Sequence, residues 1–236
     1  MLESVWITGA GSGIGAAMAR DFAGAGYAVA LTARSREALE AVAAALPRGA
    51  KALIEPGDVT DREGMAAMAG RIAEAFGGIG VLCNNAGLNI PKRRWAELDW
   101  ASWDEVIRIN VTGALNVIAA ALPAMRAQGG GVMIHTSSWA GRFHSPAGGV
   151  PYGASKHALS DISASLNSEE GRNGIRSCAL CPAEVATPLM TRRPGYDPAT
   201  AAAMIQPEDM AALALQVARM NPNVAVHEIT LAPVRR

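Results

Sequence analysis

Tyr152 and Lys156 stand four residues apart in Tyr152-Gly153-Ala154-Ser155-Lys156. On a helix that spacing puts them on one face, with an ammonium beside a phenol. A free tyrosine, with a pKa of about 10, is a poor proton donor or acceptor at neutral pH. A neighbouring cation stabilises the phenolate and brings it toward working range, which makes Tyr152 a candidate acid/base. Ser138, at the end of an extended apolar run, is placed to donate a hydrogen bond to a carbonyl oxygen as charge develops on it. A Tyr/Lys pair on a helix is by itself more often plain surface; the other motifs of the chain give this pair its meaning.

Thr8-Gly9-Ala10-Gly11-Ser12-Gly13-Ile14-Gly15 follows a first β-like run and opens a helix-like one. Glycines there let the chain turn tightly and let a pyrophosphate approach backbone N–H groups at the positive end of a helix. The G-x-G-x-x-G/A register fits at Gly11 to Ala16 only weakly, but strand before and helix after support a dinucleotide loop. About 20 residues on, an acidic reader of the ribose 2′-hydroxyl is expected. The chain has Thr32-Ala33-Arg34-Ser35-Arg36 instead. With no carboxylate to repel a 2′-phosphate, and with Arg34 able to fork onto one, NADP(H) is the better fit and NAD(H) the alternative. The plainer reading leaves Arg34 and Arg36 solvating a loop.

The elements that must position these groups are legible in the periodicity. Short apolar, β-prone runs at 5–8, 29–32, 52–54, 81–84, 132–136, 177–181 and 225–231 alternate with helix-like segments at 14–25, 35–46, 61–76, 101–127, 152–171 and 207–219. That alternation predicts an α/β fold: a single-domain Rossmann fold over 1–236, a doubly wound parallel sheet of about seven strands with helices on both faces. Two irregular segments, 141–151 and about 183–205, follow the fifth and sixth strands, at the carboxyl ends where such sheets bind ligands.

Composition excludes other classes. Lys plus Arg (21) balance Asp plus Glu (21), giving no long-range attraction for nucleic acid or an anionic membrane. The apolar stretch from Ala114 to Met125 is interrupted by Asn116 and closed by Pro123, short of the roughly 20 residues of a bilayer span. A strand-like run begins at Val5, leaving no room before it for a cleavable leader, so the expected location is the cytoplasm. Three cysteines, an odd number, fit a reducing compartment. Cys178-x-x-Cys181 has no second ligand pair spaced for it among the histidines, so no metal site is expected.

Together the motifs resemble the classical short-chain dehydrogenase/reductase family over nearly the whole chain. The resemblance rests on Thr8-Gly-x-x-x-Gly13-Ile14-Gly15, Asp58-Val59, Asn84-Asn85-Ala86-Gly87, Asn110, Ser138, Tyr152-x-x-x-Lys156 and Pro182-x-x-Val185-x-Thr187, in family order. It implies that Tyr152 is the acid/base, that Lys156 binds the nicotinamide ribose and lowers the tyrosine pKa, that Ser138 orients the substrate oxygen, and that Asn110 holds a water in a proton relay. It implies a cofactor bound by Gly9, Ser12, Gly13, Ile14 and Gly15, by Arg34, by Asp58 and Val59 at the adenine, by Asn85, Ala86 and Gly87 as a floor, and by Pro182, Val185 and Thr187 at the carboxamide. A substrate lid over about 183–205 and a homotetramer or homodimer follow from the same likeness.

Two positions depart from the family pattern: Ala183 stands where a glycine is usual, and Ser12 where NADP-preferring members often carry a basic residue. The activity implied is an NADP(H)-preferring carbonyl reductase or alcohol dehydrogenase acting on a small carbonyl compound or secondary alcohol. The alternative is a catalytically silent dinucleotide-binding regulatory or scaffold protein. Trp95, Trp100 and Trp103 read as packing or subunit contacts. Arg192, Arg193, Trp139, Phe143 and His144 suit an aromatic or amphipathic substrate with an acidic group, and equally a solvated surface.

Overall fold

Residues 2–234 are described by the computed structural model. Strands and helices alternate as β1 (Ser4–Thr8), α1 (Gly13–Gly24), β2 (Ala28–Thr32), α2 (Arg36–Ala44), β3 (Ala52–Ile54), α3 (Arg62–Phe76), β4 (Val81–Asn84), α4 (Trp100–Ile107), α5 (Ala114–Ala127), β5 (Gly131–Thr136), α6 (Val150–Glu170), β6 (Ile175–Pro182), α7 (Pro207–Arg219) and β7 (Glu228–Leu231). The strands form one parallel sheet in the order β3-β2-β1-β4-β5-β6-β7. The expected single-domain Rossmann-like α/β fold is what the chain adopts.

Period-two alternation along the strands feeds two cores, one on each face of the sheet. Val5, Ile7, Val29, Leu31 and Ile134 pack under Met18 and Phe22 of α1, Leu39 of α2 and Met210 of α7. Trp6, Ala30, Leu82 and Met133 pack under Met65 and Ile72 of α3, Val117 and Met125 of α5 and Leu166 of α6. The one fully buried indole is satisfied, since Trp6 Nε1 donates to Thr32 Oγ1 at 2.9 Å. Cys83, Cys178 and Cys181 are free thiols inside this sheet.

The expected helix over 101–127 is not uniform. Between α4 and α5 the chain makes a π-helical turn, Arg108–Gly113. The combined run Trp100–Ala127 is apolar and long enough to cross a membrane, an 18-residue window within it having a mean hydropathy of 1.5, but 44% of that window is buried in the fold. The last strand is shorter than its apolar run, beginning only at Glu228. Among the tryptophans, Trp103 is buried while Trp95 and Trp100 lie exposed around it, with ring centroids 5.2 and 6.1 Å from its own.

The end of α6 is tied to α5 by an ion pair. Arg126 Nε donates to Glu170 Oε2 at 2.9 Å, its Nη2 pairs with Oε1, and Asn173 Nδ2 donates to Oε2 at 2.7 Å. The hydrogen bonds from Arg126 and then Asn173 hold the Glu170 carboxyl down to about 2, against an ordinary 4.5. A depressed carboxyl stabilises the fold fully above its unfolded pKa and loses that contribution as pH falls through its folded one. Glu170→Gln is therefore expected to melt earlier than wild type at neutral pH, and a melting series should show the gap closing between pH 4.5 and about 2.

Candidate active site

The sheet order reverses between β1 and β4, the position where open α/β sheets form a ligand crevice. One hydroxyl joins the two strand ends: Thr8 Oγ1 accepts from the N–H of Asn85 at 3.0 Å and of Ala86 at 3.1 Å. Asn85 extends the join, its Nδ2 donating to Thr8 O at 3.2 Å and its Oδ1 accepting from Thr136 Oγ1 at 2.9 Å. The crevice above is a cavity of about 840 Å³.

The glycine loop forms one wall. Gly13 adopts φ +52 and faces Thr187, whose Cγ2 would lie 3.1 Å from a Cβ placed there. Ser12 precedes α1 in extended conformation with no side-chain cap, and the first turn carries no acidic residue. The N–H groups of that turn are therefore free of side-chain competition, as an anion site at a helix N-terminus requires. Arg34 lines the same cavity, whereas Arg36 pairs with Glu40 at 3.7 Å along α2. Burial alone would raise the Asp58 carboxyl; the N–H and hydroxyl of Thr60, at 2.9 and 2.8 Å, with the charges of Arg108 and Arg34, carry it below the usual range.

At the other end stand Ser138, Tyr152 and Lys156, the candidates for proton handling. Ser138 follows β5, its Oγ accepting from Ala140 N at 3.1 Å, and it lines the same cavity as Tyr152 on α6, near enough to favour the ionised phenol. The Lys156 ammonium, 5.6 Å from the centroid of the Tyr152 ring, donates to Thr136 O at 2.6 Å. Burial pushes Lys156 down to about 8. It also pushes the Tyr152 phenol above its ordinary value, against the hydrogen bond from Ser138 and the positive charge of Arg93. The Lys156 ammonium is held by a strand-end carbonyl, and the positive charge of Arg93 opposes burial at the phenol.

Sixteen of the expected residues meet on this one cavity: Gly9, Ser12, Gly13, Ile14, Arg34, Asp58, Val59, Asn85, Ala86, Gly87, Ser138, Tyr152, Lys156, Pro182, Val185 and Thr187. The donor set fits a dinucleotide, with an uncapped helix start for phosphate and a glycine wall that leaves room for it. The family model described as short chain dehydrogenase matches residues 3–195.

The chain belongs to the short-chain dehydrogenase family.

Its curated relatives include sulfoacetaldehyde reductase 2 of Chromohalobacter salexigens, 32% identical over 243 residues and covering 100% of this chain and 96% of the relative. Cis-4-hydroxycyclohexanecarboxylate dehydrogenase of Sinomonas cyclohexanicum is 36% identical over 211 residues, 87% of this chain and 84% of the relative. Among solved structures, the alcohol dehydrogenase of the archaeon Thermococcus sibiricus complexed with 5-hydroxy-NADP superposes with a TM-score of 0.88 at 29% identity, over 99% of this chain and 97% of that one.

Two expected residues of this short-chain dehydrogenase do not line the cavity. Asn110 is buried in the π turn, where its Nδ2 donates to Leu88 O at 2.9 Å and Ser155 Oγ at 3.0 Å, and its Oδ1 accepts from Leu88 N at 2.7 Å. Ser155 Oγ in turn donates to Tyr152 O at 2.7 Å, so the Asn110 side chain braces the floor strand against the Tyr152 helix. Both of its amide N–H groups are engaged in that brace. Gly15 is buried beneath the loop, and a Cβ there would lie 2.3 Å from Gly9 O. Close packing of loop on helix, rather than room for a ligand, is what this glycine provides. Ala183 needs no glycine, since no described residue other than glycine has a positive φ.

Sequence reasoning missed Arg93, which sits in the charge run Lys92-Arg93-Arg94 and is nonetheless buried; such a run reads as solvated, and nothing in its spacing marks the middle residue. It also missed Thr136, whose polar atoms hold Lys156 and Asn85. Because the atom opposing Gly15 is backbone, Gly15→Ala must displace the loop. The expected outcome is a loss of about 1–3 kcal/mol in denaturant unfolding, with weaker dinucleotide binding by titration.

Proposed function

We propose that this short-chain dehydrogenase is an NADP(H)-preferring carbonyl reductase or alcohol dehydrogenase, with Tyr152 as its acid/base. The observation that carries the reading is the meeting of Ser138, Tyr152 and Lys156 at one end of the cavity whose other wall is the glycine loop. When bound, the nicotinamide ring supplies or takes up the hydride at the carbinol carbon. The chain's own groups handle the oxygen: Ser138 donates a hydrogen bond to it, and Tyr152 gives or takes its proton. With the phenol raised by burial and Lys156 near 8, Tyr152 is protonated and Lys156 charged at neutral pH. That state favours giving a proton to a carbonyl oxygen.

The segment 183–205 is assigned as a substrate lid. Its base is pinned where Ala186 N donates to Ile205 O at 2.9 Å and Ile205 N to Glu184 O at 3.0 Å, leaving the 3-10 turns Pro188–Arg192 and Pro198–Ala203 over the site. Asn110 is assigned to holding a water in the proton relay, and its side chain also fixes the helix bearing Tyr152. The reading extends to a homodimer or homotetramer built on the helices containing Asn110 and Tyr152, supported by exposed Ile107 and Leu115, and to the cytoplasm, supported by three free cysteines.

NADPH over NADH is supported by Arg34 on the cavity wall and by the NADP derivative bound to the Thermococcus relative. Fluorescence titration of the purified chain should give tighter binding of NADPH than NADH. Arg34→Ala should weaken NADPH by roughly tenfold or more, the worth of a charge-assisted contact, and leave NADH little changed; equal loss for both would remove Arg34 as the phosphate reader.

Turnover is followed at the reduced-nicotinamide absorbance with a panel of aldehydes, ketones and secondary alcohols that includes sulfoacetaldehyde and cis-4-hydroxycyclohexanecarboxylate, the compounds named for the relatives. Tyr152→Phe is expected to lower kcat about 100- to 10,000-fold while still binding cofactor. Full turnover by that variant would sink the proton-transfer assignment, and binding without turnover of any panel member would move the reading to a silent dinucleotide-binding protein.

A further inference from the structure

A second cavity, of about 850 Å³, opens beside the first and shares Ser138 and Tyr152 with it. Its wall includes Arg93, from the segment after β4, and Arg193, from the 183–205 segment. Arg93 is 5% exposed, and an arginine that deep is ordinarily paired with a carboxylate. Here its Nε donates to Ile90 O at 2.7 Å, its Nη1 to Ala147 O at 2.9 Å and its Nη2 to Arg192 O at 3.2 Å. Backbone carbonyls satisfy hydrogen bonds but bring no negative charge. A guanidinium has five N–H groups, so these three bonds leave one N–H on each terminal nitrogen.

The charges around it do not compensate. Of the two carboxylates on the cavity wall, Glu184 is engaged by Arg193 at 3.1 Å, and Asp197 is exposed with its Oδ1 accepting from Ala199 N at 2.9 Å. Glu97 acts on Arg93 only through its field, from the exposed 3-10 turn Trp95–Glu97. Burial first, and then the like charge of Arg193, press the Arg93 pKa downward. Arg193 is thus paired with Glu184 while Arg93 has no ion pair among the described residues, at the wall of a cavity that reaches the candidate proton donor. An anion entering there would relieve the repulsion between the two cations, and the guanidinium retains N–H groups that the three carbonyls do not use.

We propose that the substrate carries an acid group, a carboxylate or sulfonate, and that Arg93 binds this group so that the carbonyl at the other end of the molecule reaches Ser138 and Tyr152. The proposal rests on the oxidoreductase reading above for the carbonyl, and on Arg93 and its surroundings for the acid. Arg93 is then a specificity-determining residue, and its three carbonyl bonds fix the guanidinium before the ligand arrives, which lowers the ordering cost of binding.

The test uses the full chain with NADPH and compares turnover of 4-oxocyclohexanecarboxylate with that of its methyl ester. Wild type is expected to favour the acid at least tenfold in kcat/KM, and Arg93→Gln to bring that ratio close to one, through a higher KM for the acid. Arg93→Lys is expected to restore part of the ratio. Equal handling of acid and ester by wild type overturns the proposal. So does an Arg93→Gln variant that lowers both alike, which would make Arg93 a strap between lid and loop.

Binding to the NADP⁺-loaded protein gives a second readout that needs neither turnover nor a folded variant: calorimetry with cyclohexanecarboxylate against cyclohexanecarboxamide. Tighter binding of the acid by tenfold or more supports the site, and equal binding overturns it. If neither ketone turns over while the acid still binds tightly, the oxidoreductase reading fails and the acid site stands.

Discussion

Everything at the candidate site depends on what happens at the carboxyl ends of β1 and β4. The two strands pair side by side, yet the chain leaves β1 toward α1 on one face of the sheet and leaves β4 toward α5 on the other. No connection covers the gap between them, so a crevice opens. The gap is held at fixed width by Thr8 Oγ1, which accepts from two successive N–H groups of the opposite strand end. A buried amide left unpaired costs about 1–3 kcal/mol, so this one hydroxyl both satisfies and locates the floor. The glycine loop hangs from β1, the floor from β4, Ser138 from β5 and the 183–205 segment from β6; all four inherit their positions from that reversal.

The cluster around Tyr152 adds a second constraint, a buried ammonium for which no carboxylate partner stands among the described residues. Lys156 is held by Thr136 O, and the surrounding polar atoms close on one another. Ser137 Oγ donates to Lys156 O at 3.0 Å, and behind it Ser163 and Ser177 share a hydrogen bond of 2.8 Å between α6 and β6. His135 lies deeper in the sheet, where burial, and after it the charge of Lys156, drop its pKa to about 4. A neutral imidazole there adds no second positive charge beneath the ammonium. Polar groups on both sides of β5 are thus compatible with one cation near Tyr152 and a second, Arg93, on the wall of the second cavity.

Much of this was legible in the chain because parallel strands buried on both faces are continuous apolar runs and their crossover helices carry their own period. The strands Ser4–Thr8, Ala28–Thr32, Ala52–Ile54 and Val81–Asn84 overlie the apolar runs, and the glycine loop, the floor and the Ser138, Tyr152 and Lys156 set meet on one cavity as the family resemblance implied. What was not legible depends on tertiary position. A π turn has no period of its own within a helix, so Arg108–Gly113 is invisible in the pattern at 101–127. The direction of the Lys156 ammonium is decided by a carbonyl on another element, and the burial of Arg93 by the 141–151 and 183–205 segments closing over it. Gly15 was legible as a glycine that matters, but not as one whose neighbour is its own loop.

The π turn carries a consequence for how such a chain changes over time. A π turn amounts to one residue inserted into an α-helix, and here the inserted length puts Asn110 inward, bonded to Leu88 and Ser155, while α4 and α5 face different partners. Loss of a single residue between 108 and 113 would yield a more regular helix with better backbone geometry, and would swing the preceding segment by about 100°, one residue's worth of helical rotation. Trp103 and Val106 would leave the packing they share with Ile90. Helix regularity and the brace under Tyr152 therefore pull in opposite directions, so the tolerance of this segment to length variation is low even where its tolerance to substitution is high.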